Sequence, residues 1–360
     1  MVLSQNWVQK RKQKVRGKRT MNRNIAIIGA GSWGTALSIL LAKSGHSVKM
    51  WSVFKEEIDM INNMREHIDK LPGVLIPDNV LGTTDIEAGI NGADAVVMVV
   101  PSQTIRANAK DMSKYIKNGM CVVSCAKGIE EGTGLRLSEV IKQEIPQCEA
   151  VALSGPSHAE EVARDIPTTV VAASENIKAA EYIQDIFMCP KFRVYTNSDI
   201  TGVELGGALK NSIALCAGIS DGLGFGDNTK AALMTRGIAE ITRLGVSMGA
   251  RRETFAGLAG IGDLIVTCTS MHSRNRRAGI LIGQGKSLNE AVSEVKMVVE
   301  GVTTTKAAFE LAEKKGVTMP ITTEAYNVLF NGKNAKQAVV DLMMRDKKNE
   351  AEVFDESSWL

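Results

Sequence analysis

Several features are scarce in this 360-residue chain. There are six cysteines, Cys121, Cys125, Cys148, Cys189, Cys216 and Cys268, and four histidines. No two cysteines form a Cys-x-x-Cys pair, so no zinc-type ligand spacing exists and no metal is expected. The cysteines lie mostly in apolar or loop stretches, the pattern of buried free thiols in a reducing cytoplasm. Aromatic residues make up only 4%, too few for stacking platforms that hold nucleic-acid bases. The net charge of +3 sets up no global field that demands a polyanion. No apolar run is long enough to span a bilayer and no signal-peptide core is present, so a cytoplasmic protein without stable membrane insertion is expected.

The rest of the composition is that of a soluble globular protein, with 44% hydrophobic and 23% charged residues, and the length suits two domains. Gly is frequent, at 33 residues, which points to tight turns and close backbone contacts. The stretch Lys10 to Arg19, KRKQKVRGKR, is basic without an apolar core. A nucleic-acid or membrane-surface arm would look like this, but nothing later in the chain echoes a basic surface. Met21 begins MNRNIAIIGAG, a more economical start for a first strand. Residues 1–20 are therefore read as a disordered tail or an upstream start, with no nucleic-acid partner.

Asn24 to Thr35, NIAIIGAGSWGT, carries the strongest local signal. A short apolar run enters Gly29-x-Gly31-x-x-Gly34, and an amphipathic segment, Thr35 to Lys43, follows at once. A glycine turn between a buried strand and a helix leaves backbone N–H groups free beside a helix N-terminus, which suits a dinucleotide pyrophosphate. Further strands are expected at Ser47–Ser52, Ala93–Val100, Met120–Ala126, Val151–Leu153, Thr168–Ala172 and Phe192–Tyr195. Helices are expected at Glu56–His67, Ile105–Ile116 and Ile177–Phe187, with loops at Pro72-Gly73 and Pro77-Asp78. Past Asp199 the strand runs stop and helical periodicity takes over. The expected fold is α/β, an N-terminal Rossmann-like doubly wound sheet followed by an all-α C-terminal domain. The divisions are a tail at 1–20, a dinucleotide-binding domain at 21–197, a helical substrate domain at 198–345 and a polar tail at 346–360.

Lys210 is the foremost catalytic candidate. It is the only charge in LGGALKNSIALCAGI, Leu205 to Ile219. An ammonium in an apolar helix is costly unless paired or placed at a site, and burial lowers its pKa toward neutrality. Asn211 adds a second polar group beside it. Asp263 follows glycines and precedes an apolar run, so it also reads as a helix N-cap; Thr267 lies one turn later on the same face. Ser273-Arg274-Asn275-Arg276-Arg277 suits phosphate recognition, though an isolated run of this kind would be a solvated basic loop. Gly155 and Ser157 lie in a turn after a strand, and Lys127 ends a strand at the ligand face. The end of the second strand has no acid before Glu56 to bind a ribose 2′-hydroxyl, which argues against strict NAD use. Ser52 and Lys55 are candidates for a 2′-phosphate, so NADP or both cofactors is expected.

Taken together, the motifs resemble the bacterial NAD(P)-dependent glycerol-3-phosphate dehydrogenase family. The matching pieces run in order from GAGSWGTAL (Gly29 to Leu37) through VVPS, AKG, LSGPSHAEE, GVELGGALKN, SDGLGFGDN, AGIGDLIVTCTS and SRNRR to VVEGVTT (Val298 to Thr304). The resemblance implies that Lys210 is the general base and acid between sn-glycerol 3-phosphate and dihydroxyacetone phosphate. It implies that Lys127, Gly155, Ser157, Asp263, Ser273, Arg274 and Asn275 surround the substrate, with Thr267 in support. Ser32, Trp33, Lys127, Ala159, Arg274, Val298 and Glu300 would contact NAD or NADP. Val53 stands where members often carry Arg or His, which puts NADPH preference in doubt. A cytoplasmic homodimer that supplies glycerol 3-phosphate for phospholipid synthesis is also implied. The nearest rivals are dehydrogenases of the same plan that act on a sugar acid or a 3-hydroxy acid; a non-catalytic NADP-binding scaffold is a further alternative.

Overall fold

The computed structural model describes residues 22–347, 349 and 350. The expectations for the tail at 1–20 and for most of the tail at 346–360 lie outside these residues.

Eight strands form one sheet: β1 (Asn24–Ile28), β2 (Ser47–Trp51), β3 (Val80–Thr83), β4 (Ala95–Met98), β5 (Cys121–Ser124), β6 (Glu149–Ser154), β7 (Thr168–Ala173) and β8 (Phe192–Asn197). Their order is β3-β2-β1-β4-β5-β6-β7-β8. All pairs are parallel except β6 with β7. The chain runs outward from β1 to β3 and returns to β4 on the other side of β1. That reversal opens a crevice at the carboxyl ends of β1 and β4. Both faces of the sheet are covered, so the central strands are apolar on both sides. Ile25 and Ile27 of β1 pack with Leu37 and Leu41 of the Ser32–Lys43 helix on one face. Ala26 and Ile28 pack with Ile105, Val140 and Ile141 on the other.

Two local expectations needed correction. The stretch after Pro77-Asp78 is a strand, β3, and not only loop. It is a four-residue edge strand containing Gly82, too short to show alternation, and the Asn62 side chain caps it by bonding both Gly82 N (2.7 Å) and Gly82 O (3.0 Å). The helix expected at Glu56–His67 stops early. It runs from Lys55 to Asp59, widens into a π-type turn over Met60–Met64, and ends at Arg65 with φ +55°.

After β8 the described chain is helical. The Ile200–Gly222 helix is buried on nearly all sides, and other helices wrap it. Asp199 caps its N-terminus by accepting from Gly202 N at 2.9 Å. Glycines let the Arg274–Gly283 helix approach very closely. A Cβ on Gly218 would lie 2.1 Å from Arg276 O, and one on Gly279 would lie 2.1 Å from Leu215 O. This glycine crossing holds Arg274 and Asn275 beside the central helix that carries Lys210.

Candidate active site

The glycine turn follows β1 directly. Gly29 has φ +114°, and a Cβ there would meet Val99 O at 2.8 Å; a Cβ on Gly34 would lie 2.0 Å from Gly29 O. The backbone therefore needs glycine at both positions. Above Gly31, by contrast, a Cβ would meet nothing within 4 Å. Gly31 is the N-cap of the Ser32–Lys43 helix, with no side-chain cap and no acid in its first turn. An open backbone cradle at the positive end of a helix dipole fits a phosphate-bearing ligand.

Across the crevice, three charged side chains converge. Lys210 Nζ donates to Asp263 Oδ1 at 2.8 Å and to Thr267 Oγ1 at 2.6 Å. Lys127 Nζ donates to Asp263 Oδ2 at 2.7 Å and to Gly155 O at 2.9 Å. Asp263 and Lys210 are 1% and 5% exposed. Burial, reinforced by the nearby Lys127 charge and only partly offset by Asp263, lowers the Lys210 ammonium to about 8. Burial would raise the Asp263 carboxyl, but the two ammoniums outweigh it and hold the group below its ordinary value. Asp263 is not the helix N-cap expected from its place in the sequence. Gly262 takes that position, because the chain is already helical through a π-type turn at Leu258–Gly262 that runs straight into Asp263; the Asp263 carboxylate goes to the two lysines instead. Thr267 does act with Asp263, donating to Asp263 O at 2.6 Å.

A second network links the sheet region to the helical region. Asn211 Nδ2 donates to Lys127 O at 3.0 Å, Asn275 Nδ2 donates to Asn211 Oδ1 at 2.9 Å, and Gly301 N donates to Asn275 Oδ1 at 2.8 Å. Ser157 Oγ donates to Gly155 O at 3.0 Å. The Ser273–Arg277 stretch is not a basic loop. Ser273 caps the Arg274–Gly283 helix, accepting from Arg276 N at 3.2 Å. Arg276 is committed to Asp221 at 2.7 Å. Arg274 is different: no hydrogen bond or ion pair among the described residues holds its guanidinium. Burial lowers its pKa, while the Glu300 and Glu160 carboxylates act in the opposite sense.

The family model described as the NAD-dependent glycerol-3-phosphate dehydrogenase N-terminus matches residues 24–180, and its C-terminal counterpart matches residues 199–340. The chain belongs to this family. It is 58% identical over 326 residues to the Agathobacter rectalis protein named glycerol-3-phosphate dehydrogenase (NAD(P)+), covering 91% of this chain and 97% of the relative. The Clostridium tetani protein of the same name is 56% identical over 93% of this chain and 96% of its own length. The crystal structure of glycerol-3-phosphate dehydrogenase from Coxiella burnetii matches with a TM-score of 0.87 at 38% identity, covering 90% of this chain and 99% of that one.

Of the residues the family resemblance assigns to a dinucleotide, Ser32 and Trp33 open the helix after the glycine turn. Ala159 starts a short helix after β6. Glu300 reaches back to the loop after β4, accepting from Ser102 N at 3.1 Å and Ser102 Oγ at 2.5 Å. Val298 is half exposed and Val53 is exposed, the latter just past β2 and apart from the lysine cluster. Two features went unseen in the sequence. One is the Ser102–Glu300 pair, although VVPS had marked its strand end. The other is His158, whose Nε2 is buried without a hydrogen-bond partner among the described residues. Burial, and then the Lys210 and Lys127 charges, keep its imidazole neutral by lowering its pKa. Its place beside Ser157 was the available signal.

Proposed function

We propose that this chain is an NAD(P)-dependent sn-glycerol-3-phosphate dehydrogenase in which Lys210 is the general acid and base. The observation that carries this reading is a buried ammonium lowered to about 8, fixed by Asp263 and Thr267. When bound, NADH or NADPH supplies a hydride to C2 of dihydroxyacetone phosphate, or NAD(P)+ accepts one from sn-glycerol 3-phosphate. Lys210 gives its Nζ proton to the C2 oxygen in reduction and takes it back in oxidation. Asp263 holds that ammonium in line, and Thr267 accepts a hydrogen bond from it, so its direction is set before substrate arrives. Lys127 adds a second positive charge where the C2 oxygen becomes negative.

In this reading Gly155, Ser157, Asn211, Ser273 and Asn275 line the substrate, and the uncommitted Arg274 guanidinium takes its phosphate. Gly29, Gly31 and Gly34 hold the pyrophosphate. The product supplies phospholipid synthesis, and the protein works in the cytoplasm as a homodimer. The six free thiols suit that compartment. Among the described residues no single helix is long and apolar enough to cross a membrane.

The test is the loss of reduced-nicotinamide absorbance on adding dihydroxyacetone phosphate. Lys210→Ala is expected to keep cofactor binding and to lose turnover by about 10²–10⁴-fold or more. Wild-type turnover in that variant would remove the acid–base role.

A further inference from the structure

We infer that the adenosine end of this site is built for NADH and against a 2′-phosphate. The inference rests on the dinucleotide reading above and concerns which dinucleotide.

The register of the sheet places the relevant residues. Ile28 pairs with Trp51, and Gly29 N donates to Trp51 O at 2.9 Å. The segment after β2 therefore lies beside the glycine turn, where the ribose of a dinucleotide is read in a crevice of this kind. Ser52 and Lys55, the sequence candidates for a 2′-phosphate, are both engaged elsewhere. Ser52 is 4% exposed; its Oγ donates to Glu57 Oε2 at 2.5 Å and accepts from Phe54 N at 3.2 Å. Lys55 Nζ donates to Asp59 Oδ2 at 2.5 Å. Val53 and Phe54, between them, are exposed and apolar.

One more cation is near. Ser32 Oγ donates to Lys70 O at 2.6 Å, which ties the Lys70 loop to the glycine turn. The Lys70 ammonium is already paired with the buried carboxylate of Glu57. Its neighbour His67 is buried and, through that burial, held neutral by a lowered pKa. Each cation thus has its own carboxylate, and Glu56 adds a further carboxylate in the first turn of the Lys55–Asp59 helix.

A 2′-phosphate brings close to two negative charges. Among the described residues it would meet no unpaired guanidinium or ammonium there, since Lys55 and Lys70 already hold Asp59 and Glu57. A 2′-hydroxyl is neutral and brings a donor, which suits a segment rich in carboxylate oxygens. The acid usual at the end of β2 is absent from the sequence there; Glu57 places a carboxylate near the same strand end, but it is buried and held by Ser52 and Lys70, so it contributes charge and not a free acceptor.

The experiment measures dissociation constants of the full chain, by titration calorimetry, for NADH, NADPH, 5′-AMP and 2′,5′-ADP. NADH is expected to bind at least about tenfold more tightly than NADPH, with the fragments ranked the same way. Added salt should narrow the gap by screening the repulsion. Val53→Arg should tighten NADPH by a larger factor than NADH. NADPH binding as tight as NADH, or an unchanged ratio in Val53→Arg, would overturn the inference. Failure of all four probes to bind would instead overturn the dinucleotide reading itself.

Discussion

Lys127 and Lys210 hold opposite oxygens of one buried carboxylate, that of Asp263, at 2.7 and 2.8 Å. One comes from a strand end of the sheet and the other from the central helix of the helical region. Two cations on one anion leave a net positive charge in a nearly dry place. Burial, with help from the Lys127 charge and against the opposing pull of Asp263, lowers the Lys210 ammonium to about 8. Asp263 prevents the pKa from falling further and keeps the ammonium aimed.

The pH dependence follows with a definite sign. With the Lys210 ammonium as the proposed acid, kcat/KM for reduction of dihydroxyacetone phosphate should fall as pH rises through about 8. Oxidation of glycerol 3-phosphate needs the neutral amine, so it should rise over the same range. In Asp263→Asn the carboxylate that raises Lys210 is gone, and both profiles should move to lower pH. Breaking this buried pair should also cost about 3–5 kcal/mol of stability. Initial-rate profiles in both directions, with a melting curve, measure these effects; profiles unmoved by Asp263→Asn would contradict the coupling.

Arg274 has no partner among the described residues, whereas Arg276 is tied to Asp221. Arg274→Ala should therefore raise KM for the phosphorylated substrate much more than for an unphosphorylated analogue, by about tenfold to a hundredfold for loss of a charged hydrogen bond worth 1.5–3 kcal/mol. Equal effects on both substrates would count against phosphate recognition.

The glycine crossing makes a separate prediction. A methyl on Gly279 would press on Leu215 O at 2.1 Å and push the Arg274–Gly283 helix away from the central one. Gly279→Ala should lose about 1–3 kcal/mol of stability, the usual cost of overpacking. It should also weaken substrate binding, because Arg274 and Asn275 ride on the displaced helix. Chemical denaturation and steady-state KM test the two parts separately.

Glu240 gives a stability test away from the site. Its carboxylate is 2% exposed and accepts from Ile321 N at 2.7 Å and Thr322 N at 3.1 Å, at the start of the Pro320–Phe330 helix. Burial, outweighing those bonds, pushes it up to about 7. The folded state then binds a proton that the unfolded chain has released. This contribution is complete below the unfolded pKa and is lost as pH rises through about 7. Glu240→Gln should flatten the fall in melting temperature between pH 5 and pH 8 (roughly the span over which a shifted carboxyl titrates). A slope equal to wild type would refute this assignment.

Much of the fold is legible in the sequence. The glycine turn was visible because its three glycines occur in a fixed spacing between a β run and an amphipathic run. Lys210 stood out because it is a lone charge in an apolar helix, and the Ile177–Phe187 helix matched its expected bounds. Where local chemistry allowed two readings, the sequence left both open. Asp263 after glycines could be a helix cap or part of a site, and Ser273 to Arg277 a phosphate-binding segment or a basic loop. Contacts from distant segments, with Lys127 and Lys210 for the first and the glycine crossing for the second, are not written in the local sequence. The edge strand β3 was missed for lack of a period over four residues.

Local pattern alone determined that this chain builds a doubly wound sheet, turns tightly at Gly29 to Gly34, and then becomes helical. Those outcomes depend on short-range backbone preferences and on the spacing of apolar side chains, both of which are written along the chain. Tertiary structure decided which charges meet. Lys127, Lys210 and Asp263 are far apart in sequence, and whether an ammonium is paired, solvated or poised to lose a proton depends on neighbours that only folding supplies. The same holds for Ser52 and Glu57, whose engagement with one another, invisible in the sequence, sets the charge that a ribose would meet.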